Sequence, residues 1–90
     1  MTNLFSPLKV GSMTAPNRIF MAPLTRCRAT AEHVPTALMA EHYAQRTSAG
    51  LIIAEATMAM EGNSSFWMEP GIYSTEQIAG WQEVTAAVHA

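Results

Sequence analysis

Apolar positions change their spacing along this chain, and the changes mark out its elements. Leu8-Lys9-Val10 alternates over three residues and reads as a short strand. Gly11-Ser12 turns it, and Met13-Thr14 returns as a second strand. Ala15-Pro16-Asn17 breaks the pattern, because proline has no amide to donate and biases the residue before it toward extended geometry. Arg18-Ile19-Phe20-Met21-Ala22 is compact and apolar and is stopped by Pro23, the signature of a buried strand. Pro23-Leu24-Thr25-Arg26 turns out of it, and residues 27 to 34 form a loop.

The spacing then becomes helical. A helix is expected from about Pro35 to Ala49, with Pro35 in the first helical position, where a missing donor costs nothing. Leu38, Met39 and Tyr43 share one face, with His42 beside them, and Gly50 stands where a C-terminal cap is expected. Leu51-Ile52-Ile53-Ala54-Glu55-Ala56 is a nearly continuous apolar run, as in a strand covered on both faces. Met58 to Ile72 reads as a long loop. Ser74-Thr75-Glu76-Gln77 resembles a capping box, and Ile78, Trp81, Thr85 and Val88 follow as one mostly apolar helical stripe.

Two strands each followed by a helix, after a hairpin, predict parallel α/β architecture with right-handed connections. Helices on one side of such a sheet would leave its other face wet, and both strands are too apolar for that. Composition sharpens this point. The 90 residues are 49% hydrophobic and 13% charged, although a small domain needs much polar surface. The expectation is that further chain, or a partner, completes the fold.

Charge and cysteine usage exclude several function classes. Five basic against seven acidic residues give a net charge of −2 with no basic block, so neither nucleic acid nor an anionic membrane is an expected partner. The single thiol, Cys27, permits no internal disulfide and fits a reducing compartment. Residues 1–7 carry no charged n-region or apolar h-region of a secretory leader. The apolar stretch around Leu51 to Met60 is far short of a membrane span. A cytoplasmic location is therefore expected. His33, His42 and His89 have no metal-ligand spacing.

In a barrel of βα units the chemistry gathers where strands end and βα loops begin. Here those places are Met21-Ala22-Pro23-Leu24-Thr25-Arg26 and Glu55-Ala56-Thr57. Glu55, in an apolar strand, needs a partner; a structural one, such as an arginine, is the first expectation. Arg26 reads as a loop or salt-bridge residue, and Cys27 and His42 as packing or surface positions. Phe66 either shapes access to a site or packs its loop.

The same segments carry a family resemblance. Leu4-Phe5-Ser6-Pro7-Leu8-Lys9-Val10-Gly11 and Ala15-Pro16-Asn17-Arg18-Ile19-Phe20-Met21-Ala22-Pro23-Leu24-Thr25-Arg26 resemble the opening of the FMN-dependent Old Yellow Enzyme family, of the N-ethylmaleimide reductase and pentaerythritol tetranitrate reductase type. Tyr43-Ala44-Gln45-Arg46, Ser48-Ala49-Gly50-Leu51-Ile52-Ile53, Glu55-Ala56-Thr57, Pro70-Gly71-Ile72 and Glu76-Gln77-Ile78-Ala79 continue it in register. The run Ser65-Phe66-Trp67-Met68-Glu69 departs from it. The resemblance implies residues 1–90 of a single FMN-binding (β/α)8 TIM barrel: the N-terminal hairpin and the first two βα units, an incomplete domain.

By that resemblance Ala22, Pro23, Leu24 and Thr25 lie against the flavin ring. The Thr25 hydroxyl tunes its reduction near the C4 carbonyl, and Ala56 meets the same edge through its backbone. The implied activity is that of an NAD(P)H:FMN oxidoreductase reducing activated C=C bonds of small molecules, with FMN bound non-covalently and NAD(P)H as reductant. The third strand, the substrate-anchoring His pair, the catalytic tyrosine and the phosphate site would all lie beyond these 90 residues. The stretch alone is thus expected to be inactive. The alternative is a non-catalytic truncated product that self-associates or complements a barrel fragment.

Overall fold

The computed structural model describes residues 2–90; Met1, the first residue of the segment read for a leader, lies outside them. In chain order the elements are β1 (Leu8–Val10), β2 (Met13–Ala15), β3 (Phe20–Met21), α1 (Ala37–Ala44), β4 (Leu51–Ile52) and α2 (Thr75–His89). β1 and β2 form an antiparallel hairpin with Leu8 opposite Ala15 and Val10 opposite Met13. Gly11, at φ 61°, makes the left-handed step between them. β3 and β4 pair in parallel, Phe20 beside Leu51 and Met21 beside Ile52, as the strand–helix–strand order requires.

The strands are shorter than their apolar runs. β3 occupies two of the five residues from Arg18 to Ala22, and β4 two of the six from Leu51 to Ala56. A ladder is counted only where a neighbour accepts and donates, and among the described residues each strand has one neighbour. The pairing continues one bond further, with Ile53 N–H donating to the Met21 carbonyl at 3.1 Å.

α1 also departs from its expected bounds. Thr36 is the N-cap, extended at φ −107°, and accepts from the Met39 amide, so Pro35 precedes the helix instead of opening it. The helix closes at Gln45. Gln-Arg-Thr-Ser then forms tight turns, with Arg46 N–H donating to Tyr43 and Ala49 N–H to Arg46. Gly50 is therefore not a helix cap. Its amide donates to the Ile19 carbonyl at 2.8 Å, and a Cβ there would sit 2.8 Å from Asn17 Oδ1 and 2.9 Å from the Asn17 carbonyl carbon. Absence of a side chain, not turn conformation, is what this position needs.

The core is Ala29, Met39, Tyr43 and Val84, with Met21, Ile52, Trp81 and Val88 packed around it. Both helices cover one face of the β3–β4 pair and pack on each other, and a Cβ on Gly80 of α2 would come 2.9 Å from the carbonyl oxygen of Pro35, just before α1. The capping box at Ser74 and Gln77 forms as expected. The buried face of α2 is rotated by about one residue from the expected stripe: Gln77 and Val84 are buried, Trp81 and Val88 half-buried, and Ile78 and Thr85 exposed. Leu38 likewise points away from the Met39 and Tyr43 face of α1.

The opposite sheet face is bare. Phe20 is 36% and Ile53 45% exposed, and Ala22 is also exposed. The accessible surface is 5988 Å², against roughly 5200 Å² for a compact monomer of this mass. The radius of gyration, 14.4 Å, likewise exceeds the roughly 12 Å of a compact chain of this length. Large exposed apolar side chains occur on this face and also on the hairpin, the loop after β4 and both helices. Among the described residues no helix is long and apolar enough to cross a membrane.

Candidate functional site

The register of β3 and β4 carries Ala22–Arg26 and Ile53–Thr57 off the same end of the sheet. Past Ile53 the chain leaves the ladder, and simple strand alternation, which would set Glu55 on the face of Ile53, no longer holds. Glu55 turns toward the helices and is 3% exposed; Ala54 and Ala56 are exposed. Ala22 and Pro23 are exposed, Leu24 is 57% exposed and Thr25 is half-buried. The five residues singled out by resemblance therefore occur on two adjacent strand ends, with small or apolar side chains and one hydroxyl.

Glu55 joins the two ends from behind. Its Oε2 accepts from the Tyr43 hydroxyl at 2.7 Å, its Oε1 from the Arg26 amide at 3.4 Å, and its own N–H donates to the Tyr43 oxygen at 3.1 Å. The expected arginine partner is replaced by a tyrosine and a backbone amide. A clue was available: a buried carboxylate must find donors, and Tyr43 stands on the buried face of the preceding helix. Arg26 contributes its backbone to this contact.

Burial is the largest cause that pushes the Tyr43 phenol up to about 12. The Glu55 amide opposes it, while the hydrogen bond to the Glu55 carboxylate and its negative charge add to the rise. A folded-state value above the unfolded one stabilises the fold fully below the unfolded value, near pH 10, and that contribution is lost as pH climbs toward 12. The protein should accordingly lose stability across this alkaline window. Tyr43→Phe should flatten that part of a plot of urea midpoint against pH; an unchanged slope would refute the assignment.

A cavity of about 230 Å³ opens on the helix side of this contact, lined by Arg26, Arg28, Leu38, Met39, His42 and Glu55 among others. It is smaller than the roughly 300 Å³ at which ligand pockets begin, and none of Ala22, Pro23, Leu24, Thr25 or Ala56 lines it. His42 stacks edge-on against Tyr43 with ring centroids 5.4 Å apart. Its Nε2 finds no partner among the described residues. Burial, then the charges of Arg46 and Arg26, hold its pKa down.

The loop after β4 is more ordered than its composition suggests. Buried Glu69 accepts from the amides of Ser65 at 2.7 Å and Phe66 at 3.2 Å. Burial disfavours its charge, but the Ser64 hydroxyl, these amides and His33 outweigh burial and lower its pKa. The loop is tied back by Ala29 N–H to the Met68 carbonyl and by Gly71 N–H to the His33 carbonyl. His33 Nδ1 lies 2.7 Å from the Glu69 carbonyl oxygen. Trp81 Nε1 donates to the Gly71 carbonyl at 2.9 Å, while Trp67 is 73% and Phe66 48% exposed. Among the described residues no cluster of His, Cys, Asp and Glu could hold a metal ion.

Residues 3–90 match the model of the "NADH:flavin oxidoreductase / NADH oxidase family". The chain belongs to this flavin oxidoreductase family. A Leishmania infantum protein named "Probable flavin mononucleotide-dependent alkene reductase" is 55% identical over 96% of this chain and 24% of its own length. The Old Yellow Enzyme homologue of Zymomonas mobilis superposes with a TM-score of 0.94 at 55% identity, covering 98% of this chain and 25% of that one. Morphinone reductase, solved in complex with tetrahydroNAD, superposes with a TM-score of 0.93 at 47% identity over 99% of this chain and 24% of its own. The chain is thus an Old Yellow Enzyme family sequence that spans about a quarter of the length of these relatives. Its hairpin, parallel strand pair and two helices are a small α/β piece of the fold they share.

Proposed function

We propose that this chain supplies one rim of a flavin site in an NAD(P)H:FMN oxidoreductase that reduces activated C=C bonds of small molecules. The observation that carries the proposal is the bare apolar face at the C-terminal ends of two parallel strands, the position where barrels of this kind place their chemistry. In this reading β3 and β4 are the first two strands of a (β/α)8 barrel, and the hairpin of β1 and β2 precedes the barrel.

The donor set suits a flavin. An isoalloxazine needs a flat apolar support and a few hydrogen-bonding groups at its polar edge. Exposed Ala22, Pro23 and Leu24 offer the first, and the half-buried Thr25 hydroxyl and the backbone at Ala56 offer the second. Ala22, Pro23, Leu24, Thr25 and Ala56 would hold one side of the FMN ring, and bound FMN would supply hydride transfer from NAD(P)H to the β-carbon of an activated alkene, with a proton added at the α-carbon. The chain's own part is to support one side of the ring and direct a hydroxyl donor at its polar edge, where charge builds on reduction. The names of the relatives, an FMN-dependent alkene reductase and a reductase solved with a nicotinamide, support this reading.

Residues 1–90 by themselves are expected to be inactive, since in this reading the groups for the flavin phosphate and the substrate come from later strands of the barrel. The excess apolar surface favours a second reading of the isolated stretch, in which it self-associates or completes a barrel fragment. One experiment separates the two. Residues 1–90 and the complete polypeptide are each purified with FMN, passed through gel filtration and tested for NADPH oxidation with an activated alkene. The proposal expects a colourless oligomer from the first and an active yellow protein from the second. A stoichiometric yellow monomer of residues 1–90 that turns over would refute the need for further chain. A colourless complete protein would refute the flavin assignment.

Within the complete protein, Thr25→Ala should slow flavin reduction by NAD(P)H about tenfold, the order of one lost hydrogen bond to a group gaining charge. Stopped-flow bleaching of the flavin absorbance measures it, and an unchanged rate would remove Thr25 from the rim.

A further inference from the structure

We infer that Glu55 is a positioning residue of the flavin rim, its carboxylate locking the backbone beside Thr25 and Ala56 to helix α1. The inference rests on the rim reading given above. Glu55 precedes Ala56 in the chain, and the amide that its Oε1 accepts belongs to Arg26, which follows Thr25. Thr25 and Ala56 thus each lie one peptide from a group that this carboxylate fixes. The other oxygen is held by Tyr43, itself 2% exposed in the core. Three separate segments meet at this side chain: the loop after β3, the end of β4 and α1.

The arrangement is poorly explained as cohesion alone. A carboxylate buried in this position costs desolvation that an apolar side chain of similar size would avoid. What the carboxylate supplies is direction: two oxygens that take donors from two different elements and hold their spacing. Ala56, the next residue, is exposed and joined to Glu55 by one peptide, so rotation of Glu55 must turn the Ala56 peptide with it. Loss of the Oε1 contact frees the Arg26 amide and, one residue back, the aim of the Thr25 hydroxyl.

The test uses the complete FMN-bound protein and the variants Glu55→Gln, Tyr43→Phe, Thr25→Ala and Thr25→Ala/Glu55→Gln. The readouts are flavin midpoint potential, rate constant for reduction by NAD(P)H, and Tm. Glu55→Gln puts an amide donor where one acceptor was, facing donors on both sides. It should shift the potential in the same direction as Thr25→Ala and slow reduction about fivefold. In the Thr25→Ala background it should change the rate less than about twofold, because its effect passes through Thr25. Tyr43→Phe keeps the packed ring, serves if Glu55→Gln does not fold, and should move the potential in the same direction.

A fall in Tm with potential and rate unchanged in Glu55→Gln and Tyr43→Phe, while Thr25→Ala alters both, would overturn the inference and leave the rim reading intact. So would an equal effect of Glu55→Gln in both backgrounds. If Thr25→Ala itself moves neither potential nor rate, the rim reading falls, and the positioning role falls with it.

Discussion

Gly50→Ala should be among the most destabilising single substitutions in this chain, costing about 3 kcal/mol, the upper part of the range for overpacking. The added Cβ would meet three atoms of Asn17, two of them backbone: the carbonyl oxygen, nearest of all, and the carbonyl carbon at 2.9 Å. Backbone held between β2 and β3 cannot move aside as a flexible side chain can. Relief would have to come from the start of β4, breaking the 2.8 Å bond from the Gly50 amide to Ile19 and with it the register of the parallel pair. Denaturant midpoints measure the loss. A control distinguishes the cause. Asn17 also staples this junction through its side chain, Nδ2 donating to the Ser48 carbonyl at 2.9 Å and Oδ1 accepting from Ile19 N–H at 3.0 Å. If the clash is with backbone, Gly50→Ala remains severe when Asn17→Gly is added. Recovery in the double variant would mean that only the side chain was in the way.

Gln77→Ala should cost a similar amount, about 3 kcal/mol, because it empties a buried side-chain position and removes three hydrogen bonds together. Gln77 is 1% exposed. Its Oε1 accepts from the amides of Tyr73 at 2.9 Å and Ser74 at 3.1 Å, and its Nε2 donates to the Glu32 carbonyl at 3.1 Å. Ser74→Ala removes a single acceptor, that of the Gln77 amide at 3.2 Å, so it should cost only about 1 kcal/mol. The rank order is the test. Equal losses in thermal or urea unfolding would mean that Gln77 serves only the local cap, and that its bond to Glu32 adds nothing to holding α2 against the loop before α1.

This contrast shows which features could be read from the sequence. The capping box was legible because both partners lie within one turn, at Ser74 and Gln77. The reach of the same side chain to Glu32, 45 residues away, has no local signature, and it helps decide which face of α2 is buried. Hydropathy alone put Ile78 and Thr85 inward; a polar residue, Gln77, takes the inner position because its polar atoms are satisfied there. The parallel order of β3 and β4 was legible from the alternation of strand and helix. Their short extent was not, because apolar runs report burial in the finished sheet and a ladder reports only neighbours that are present.

The candidate site divides in the same way. Ala22, Pro23, Leu24, Thr25 and Ala56 are unremarkable by chemistry and were singled out by resemblance; the fold puts them on neighbouring strand ends. Glu55 is conspicuous by chemistry, as a carboxylate in an apolar strand, and the structural partner it needs is present as a tyrosine instead of an arginine. Charge complementarity suggested an arginine. Within a packed interior a tyrosine can meet the same need without bringing a second ion out of water.

The two tryptophans give the protein optical reporters of different reach. Trp81 is held to the Gly71 carbonyl, so its emission should resist iodide until α2 separates from the loop. Trp67, 73% exposed, should be quenched at once. Its loop leaves the same strand end that carries Ala56. Under the proposed rim, arrival of a ring that absorbs in the near ultraviolet should dim Trp67 by energy transfer, so that the loop itself gauges occupancy without any added dye.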